Sequence, residues 1–369
     1  HNAKVPIPEP VISFSKATHV VKSTHYSCTH EVLKTFMWLN HTYHGTFSTS
    51  TFMDTELSSL TLPCLLSDFD ALQKKHGDDM AELLSLDWRR SFTEQLVDNV
   101  QDVYDFFQSS KEAYYSSSLA RLFKHSELRM AQQLREIIHR SLANYIDLIT
   151  RYSETVAEDN SDLPALDSRK GLTGRQSLLQ TKLVVTETSV ELSPSPAEIE
   201  ASLLSNIDRM VESIRSLTTV DADLMSLLHL PPRIVLDIQK SSDTTKLVDA
   251  AIDSARAFIK ERVADAAIRP QKVAEQYNAY HYIVEIDVDD YVDTFLEGTI
   301  VKHADPERGI PDDVWKKPTT EETFAQIKQF HKAADVIAHA GFDQELSCFL
   351  GIDTSEAKSI LASKALEIR

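Results

Sequence analysis

The spacing of hydrophobic residues between residues 178 and 217 predicts a pair of short strands followed by a helix. Every second residue is apolar or β-branched in residues 179–185, and Val190 and Leu192 repeat this period, which is typical of half-buried strands. Residues 186–189 are expected to form the turn between them. Apolar residues then recur at steps of three and four, the period of one helix face, at Ile199, Leu203, Ile207, Met210, Ile214 and Leu217.

The start of this helix has a sequence signature of its own. Ser195 is suited to the N-cap, Pro196 fits the first turn, and Glu198 completes a capping box. The preceding Ser193 and Pro194 are expected to end the second strand. The pattern therefore predicts a β-hairpin at about 179–193 and a helix beginning near residue 196.

Helical periodicity also dominates the rest of the chain. Gly77 is expected to separate the first two helices, and Pro270 is expected to begin a new one. The two longest segments before residue 155 are expected to pack as an antiparallel pair. Helices are predicted over residues 65–75, 78–108, 112–153, 245–267, 271–296, 319–341 and 355–367.

Other segments lack this periodicity. Residues 1–27 contain three prolines and many Ser, Thr and His residues, which predicts an extended lead-in, and residues 297–318 are interpreted as an exposed loop. The predicted fold class is mainly α, with elongated helical bundles and one small β-hairpin. The predicted domains are an extended or irregular lead-in at 1–60, a helical bundle at 61–155, a linker at 156–176, and the hairpin with a helical segment at 177–369.

Composition agrees with a helical chain and excludes several classes of partner. Only 8 of the 369 residues are glycine, which is about 2%, whereas the usual share of glycine is roughly 7%. The formal net charge of -18 argues against binding to nucleic acid, to anionic membranes or directly to tubulin. No apolar run is long enough for a membrane span. Cys28, Cys64 and Cys348 provide no disulfide framework, which favours a reducing, cytoplasmic compartment.

Candidate chemical sites are weak. The histidines with Cys28 do not follow the spacing of a zinc site, and the glycines in residues 171–175 lack the lysine and spacing of a phosphate-binding loop. The acidic residues at 287–293 lack the glycine and glutamate of a calcium loop. No catalytic, cofactor-binding or metal-binding residue is assigned. The candidates considered are His19, His25, Cys28, His30, His41 and His44 for a metal, Asp287, Asp289 and Asp293 for calcium, Gly171–Arg175 for phosphate, Asn40-His41-Thr42 as a glycosylation sequon, and Tyr114, Tyr115, Leu119 and Phe123 as a groove for a partner helix.

Several segments together resemble dynein heavy chains. The hairpin and capped helix at 190–199, the apolar segment at 207–214 and the closing Leu230-Pro231-Pro232-Arg233 are similar to that family. Most similar are the axonemal heavy chains of the single-headed inner-arm class. The similarity extends to residues 118–123, 130–136, 141–142, 273–296, 320–340 and 346–353, and covers about 100–369.

The resemblance implies a role rather than a reaction. Such a segment would belong to the stem or tail, with ATP and Mg²⁺ bound in a motor domain outside it. The chain begins with His1 rather than Met and is expected to be a piece of a longer protein. Implied partners are dynein light and intermediate chains, axonemal doublet microtubule complexes, and actin with a small light chain in inner-arm relatives. The implied location is the axoneme of a cilium or flagellum. The alternatives are a free-standing cytosolic helical scaffold and an enzyme whose residues meet only in the fold.

Overall fold

A computed structural model describes residues 9–90, 118–153, 177–227, 229–236, 243–287, 289–290, 293, 299–304, 311–316, 320–339 and 349–368. Helices predominate in these residues, as predicted, and the mainly α fold class with a small β element is confirmed. A π-helical segment, Leu83–Arg90, continues helix α2. The helices are α1 (Glu9–Thr49), α2 (Leu66–Glu82), α3 (Ser118–Ser153), α4 (Pro196–Arg215), α5 (Ala222–Leu227), α6 (Asp243–Asn278), α7 (Tyr282–Glu285), α8 (Thr320–His339) and α9 (Ser355–Ile368).

The predicted β-hairpin is present. Strands β1 (Leu179–Val185) and β2 (Val190–Ser193) pair antiparallel, with Leu183 opposite Leu192 and Val185 opposite Val190. Thr186 closes the turn, because its backbone N–H and its hydroxyl both donate to the Ser189 carbonyl, at 2.9 and 2.8 Å. The turn predicted at residues 186–189 is therefore confirmed.

A third strand pairs with the other edge of β1, and the sequence pattern did not predict it. Strand β5 (Leu350–Asp353) runs parallel to β1, with Leu350 opposite Leu179. The Thr181 hydroxyl donates to the Gly351 carbonyl at 3.1 Å. A Cβ atom at Gly351 would lie 3.1 Å from the side chain of Ser177, so glycine allows this close approach.

The predicted capping box at the start of α4 forms in full. The Ser195 backbone N–H donates to the Glu198 carboxylate at 2.7 Å, and the Glu198 N–H donates to the Ser195 hydroxyl at 3.3 Å. These bonds satisfy backbone donors that have no partner within the helix. All six apolar residues predicted on one face are buried. The start of the helix and its buried face therefore both follow from local sequence.

Residues 9–27 of the segment predicted as an extended lead-in are instead part of a long helix, and residues 1–8 lie outside the described residues. Helix α1 begins at Glu9, and Pro10 lies in its first turn, where a missing N–H removes no hydrogen bond within the helix. No further proline or glycine follows until Gly45. The Ser, Thr and His residues that favour extended structure carry only weak preferences, which a long uninterrupted segment overrides.

Two predicted helix breaks are also wrong. Helix α2 passes through Gly77, because a helical glycine costs only about 1 kcal/mol relative to alanine. Helix α6 passes through Pro270. Although an internal proline costs about 3 kcal/mol, buried Val263, Ala267 and Tyr277 flank it, and their packing offsets the cost.

The segment interpreted as an exposed loop contains a second hairpin. Strands β3 (Thr299–Ala304) and β4 (Pro311–Lys316) pair antiparallel, with Val301 opposite Val314. The apolar alternation is limited to a few residues on each side of a polar, glycine-containing stretch, so the strand signal in the sequence is short.

The chain forms two compact units. Unit 1 comprises residues 1–57, 70–147 and 204–257, and unit 2 comprises residues 58–69, 148–203 and 258–369. The predicted domain boundaries stay a prediction. The predicted linker at 156–176 lies outside the described residues. Residues 91–117 of the expected antiparallel helix pair also lie outside them.

Unit 2 has a hydrophobic core in which the first hairpin contacts helices from the last hundred residues. Asn278 accepts a hydrogen bond from the Val190 N–H at 3.1 Å, and a ring nitrogen of His281 lies 2.9 Å from the Thr186 carbonyl. These two polar contacts tie the hairpin to the end of α6. The buried members of this core are Leu183, Val190, Tyr277, Ile283, Phe330, Ala333, Ile337, Ala357, Leu361 and Ala365.

Two adjacent residues of α9 provide a matched test of this core. Leu361 is completely buried, whereas Ile360 is 37% exposed. We expect Leu361→Ala to lower the free energy of unfolding by about 3 kcal/mol, because it removes apolar contacts and leaves a cavity. Ile360→Ala is expected to cost less than about 1 kcal/mol. Urea unfolding followed by circular dichroism measures both, and equal losses would show that α9 does not pack as described.

Candidate functional site

Unit 1 contains two buried carboxyl groups beside a partly exposed arginine, which we call the acid–arginine cluster: Glu127, Asp221 and Arg233. Glu127 lies on α3, Asp221 immediately precedes α5, and Arg233 follows the double proline. A guanidinium nitrogen of Arg233 lies 2.9 Å from Asp221 and 3.5 Å from Glu127. The cluster therefore joins α3 to the segment that connects α4 with α6.

Backbone hydrogen bonds fold this connecting segment back on itself. The Thr219 N–H donates to the Arg233 carbonyl at 2.8 Å, and the Val235 N–H donates to the Leu217 carbonyl at 2.9 Å. The Thr219 hydroxyl donates to Asp221 at 2.8 Å. Because Pro231 and Pro232 cannot continue a helix, the chain turns before Arg233, and this turn places the guanidinium next to Asp221.

Burial controls the protonation of Glu127. Burial, as the largest cause, and the negative charge of Asp221 together raise the pKa of this carboxyl from 4.5 to about 9, against the opposing effect of Arg233. The distance of 3.5 Å to Arg233 alone would indicate a second ion pair. Removing the carboxylate from water outweighs that attraction, so Glu127 is protonated at neutral pH beside the Asp221–Arg233 ion pair.

Two carboxyl groups with one raised pKa are also found in acid–base catalytic sites. Here, however, the side chains of Glu127 and Asp221 are both 0% exposed, and only Arg233, at 39%, contacts solvent. A substrate could reach the outer side of Arg233 but neither carboxyl. The arrangement is therefore suited to holding α3 against the connecting segment rather than to transferring protons.

The spacing of residues did not predict this cluster, although one signal was present in the sequence. Glu127 lies on the same helical face as Phe123, Met130 and Leu134, all of which are buried. A charged residue in the apolar stripe of an amphipathic helix is unusual and requires a partner. The identity of that partner, Arg233, could not be found from spacing, because it lies more than one hundred residues further along the chain.

A concave surface of unit 1, which we call the basic groove, is the second candidate feature. It has a volume of about 520 Å³ and is formed by α3, α4, α6 and residues 234–236. Arg215 and Asp249 form an ion pair at 2.5 Å on its edge. The lining consists of Arg135, Ile138, Val211, Arg215, Ile234, Leu236, Lys246, Val248, Asp249 and Ile252.

The histidine candidates are separated along one helix. His19, His30 and His41 are exposed on α1 at intervals of eleven residues, which places neighbours roughly 16 Å apart, too far for one metal ion. The side chains of His25, Cys28 and His44, and of Asn40 in the sequon, lie outside the described side chains. Among the described residues, no three His, Cys, Asp or Glu residues are placed to hold a metal.

The calcium candidates, Asp287, Asp289 and Asp293, are exposed. Asp287 instead accepts a hydrogen bond from the Asp289 N–H at 3.0 Å, which is a local turn contact. For the phosphate candidate, residues 171–175 lie outside the described residues.

Other proposed features belong to the core or are not described. Phe123 is buried, whereas Tyr114, Tyr115 and the side chain of Leu119 lie outside the described part. Burial raises the pKa of the Cys64 thiol to about 11, and its Sγ donates to the Leu178 carbonyl at 3.2 Å. Cys64 is therefore a neutral core thiol rather than a nucleophile. Within the described residues, no helix is both long and apolar enough to span a bilayer.

Comparison with known proteins gives a distant relationship. No protein-family model matches the chain. The chain is 21% identical over 245 residues to the human protein "Dynein axonemal heavy chain 1". The match covers 64% of this chain and 6% of that protein, so this chain spans a small fraction of the relative's length. The similarity supports a relationship to dynein heavy chains, while the inner-arm class and the tail position stay predictions.

Proposed function

We propose that this chain is a non-catalytic stem segment of an axonemal dynein heavy chain. The observation that carries the proposal is the similarity to an axonemal dynein heavy chain over 64% of this chain. In such a protein, the segment would connect an ATP-driven motor outside it to cargo, the axonemal doublet, and would act in microtubule-based ciliary motility. The single-headed inner-arm class is the finer form of the proposal.

The chemistry of the buried groups supports a structural role. The carboxyls of the acid–arginine cluster are sealed from solvent, and Cys64 is held as a neutral thiol. The raised pKa values of Glu127 and Cys64 follow mainly from burial, which stabilising contacts produce as readily as catalytic sites do. We therefore assign the cluster to holding unit 1 together and place ATP hydrolysis in another part of the parent protein.

A stem segment would also dock accessory chains, and its surface chemistry is compatible with protein partners. Unit 1 presents the basic groove, which combines apolar and charged side chains as protein interfaces do. Light and intermediate chains are the proposed partners, with actin and a small light chain in the inner-arm form of the proposal. The net charge of -18 continues to argue against nucleic acid.

Axoneme extraction tests this proposal. An antibody raised against the 369-residue chain would be applied to immunoblots of isolated axonemes and cytosol from ciliated cells of the source organism. We expect a polypeptide many times longer than this chain, which high salt extracts from axonemes together with ATPase activity. A band of only this chain's length in the cytosol would refute the stem proposal and favour a free-standing scaffold.

A further inference from the structure

We infer that one exposed face of helix α1 docks in an apolar groove of a partner chain, and that the borders of this groove carry carboxylates. The inference rests on the proposed function, because it gives the docking of accessory chains a location and a partner chemistry. The face, which we call the α1 stripe, consists of Ile12, His19, Tyr26, His30, Leu33 and Met37.

The α1 stripe is narrow and continuous. Its successive members are three, four or seven residues apart, and at 3.6 residues per turn all six side chains fall within an arc of roughly 60°. The stripe extends for roughly 38 Å along the helix. Every side chain that the structure describes between residues 9 and 41 is exposed, so this face of α1 is open to solvent.

Four members of the stripe are apolar and lack the cover that such residues normally have. Tyr26 is 77% exposed and Met37 is 64% exposed, and Ile12 and Leu33 also contact solvent. An amphipathic helix usually buries its apolar face, because contact of that face with water is unfavourable. Tyrosine and methionine are enriched in protein interfaces, where a ring or a flexible thioether fills a pocket of the partner. The stripe therefore has the composition of a docking surface.

Contacts just after its last turn hold α1 on unit 1. The Phe52 N–H donates to the Ser141 hydroxyl at 2.9 Å, and a ring nitrogen of His76 lies 2.9 Å from the Thr51 carbonyl. These contacts join the residues that follow α1 to α2 and α3. The helix is therefore already formed and oriented before a partner binds, so binding costs little ordering entropy.

The charges beside the stripe are positive. Lys16 lies along one edge and Lys22 along the other, and within the described part of the chain neither lysine forms an ion pair. None of the described side chains between residues 10 and 41 is acidic. A groove with carboxylates on both borders would complement these lysines, while its floor would cover the apolar side chains.

This charge pattern disfavours other occupants. A second copy of α1 would bring two more lysines to the interface and no carboxylate from its own stripe to pair with them. An anionic membrane or a nucleic acid would attract the lysines but repel the rest of the protein. Helix α1 holds three lysines and two glutamates, a net charge of +1, so the remaining residues carry a net charge of -19.

Binding of a designed groove to the full chain tests the inference. The probe is a fluorescein-labelled antiparallel helical hairpin with a leucine-lined groove bordered by glutamates, and the matched probe has lysines at the same border positions. We expect the glutamate hairpin to bind at least about tenfold more tightly than the lysine hairpin by fluorescence anisotropy. Lys22→Glu is expected to reduce this preference at least about threefold, whereas Lys75→Glu, at an exposed position on α2, is expected to retain it.

Two exposed aromatic residues of α1 locate the site. Tyr26 belongs to the stripe, whereas Phe14, which is 74% exposed, lies about 130° around the helix from the centre of the stripe. Tyr26→Glu is expected to weaken binding of the glutamate hairpin at least about tenfold, and Phe14→Glu is expected to change it less than about twofold. Circular dichroism of both variants checks that α1 stays helical.

Each other outcome would overturn the inference. Equal losses in the two aromatic variants would indicate general adhesion to apolar surface, and equal binding of the two hairpins would show that the lysines do not select the partner. A dimer of the free chain in sedimentation that Tyr26→Glu abolishes would assign the stripe to a second copy. Binding to phosphatidylserine vesicles that Tyr26→Glu abolishes would assign it to a membrane surface.

The failure of this inference and the failure of the proposed function are distinguishable. If neither hairpin binds while the antibody detects a heavy chain in axonemes, the docking inference fails and the stem proposal stands. Selective binding of the glutamate hairpin by a chain that is absent from axonemes would give the reverse result.

Discussion

A Glu127→Gln variant is expected to keep its stability as the pH rises from about 5 to 9, whereas the parent protein loses stability over this interval. Burial raises the pKa of Glu127 to about 9 in the folded state, against 4.5 when it is not buried. Between these values the folded state holds a proton that the unfolded state has released. The contribution of Glu127 to the free energy of unfolding is therefore fully present below about pH 4.5. It is lost as the pH rises toward the folded-state pKa of about 9.

The expected slope is at most about 1.4 kcal/mol per pH unit, so the total effect reaches several kcal/mol. Glutamine cannot ionise, and its shape resembles that of the protonated glutamate. The free energy of unfolding would be measured by urea titration at closely spaced pH values, and the difference between variant and parent isolates Glu127 from other titrating groups.

Glu136→Gln is the matched control, because Glu136 lies on the same helix and is exposed. Its curve is expected to run parallel to that of the parent protein. If Glu127→Gln also gave a parallel curve, Glu127 would be ionised in the folded protein, and its 3.5 Å contact with Arg233 would be a true ion pair.

Arg233→Met is expected to lower the free energy of unfolding of unit 1 by about 3–5 kcal/mol. The substitution keeps most of the side-chain volume but leaves Asp221 buried without its guanidinium partner at 2.9 Å. Removing the partner of a buried carboxylate is costly because the remaining charge, on Asp221, stays out of water. Tryptophan fluorescence during urea unfolding measures the change, since Trp88 is buried in unit 1.

Two further variants separate this effect from a general loss of charge. Arg256→Met removes a more exposed pair with Asp208, which solvent screens, and is expected to cost no more than about 1 kcal/mol. The double substitution Asp221→Asn with Arg233→Met is expected to recover part of the loss, because no charge is then buried. A double variant less stable than Arg233→Met would contradict this account of the cluster.

Local sequence was sufficient for the features whose contacts are local. The hairpin turn closes within residues 186–189, and the capping box of α4 needs only Ser195 and Glu198. The buried face of α4 also follows from its period alone, because every third or fourth residue must point the same way.

The sequence was misleading where weak local preferences competed with packing. Gly77 and Pro270 look like helix breaks, but inside a helix they cost only about 1 and about 3 kcal/mol, which continued helical packing offsets. The Ser, Thr and His residues of α1 favour extended structure individually, yet residues 9–49 form one helix. Strand β5 is only four residues long, too short for its period to be recognised.

Taken alone, the sequence determined the mainly helical character, the first hairpin, the start of α4 and the resemblance to dynein heavy chains. These properties depend on period, capping and composition, which are contained within short segments. Only the tertiary structure decided that β5 pairs with β1 across 170 residues, that Glu127 meets Arg233, and that α3, α4 and α6 form the basic groove. Such contacts depend on which distant segments share a buried volume, and the protonation of Glu127 depends on that burial.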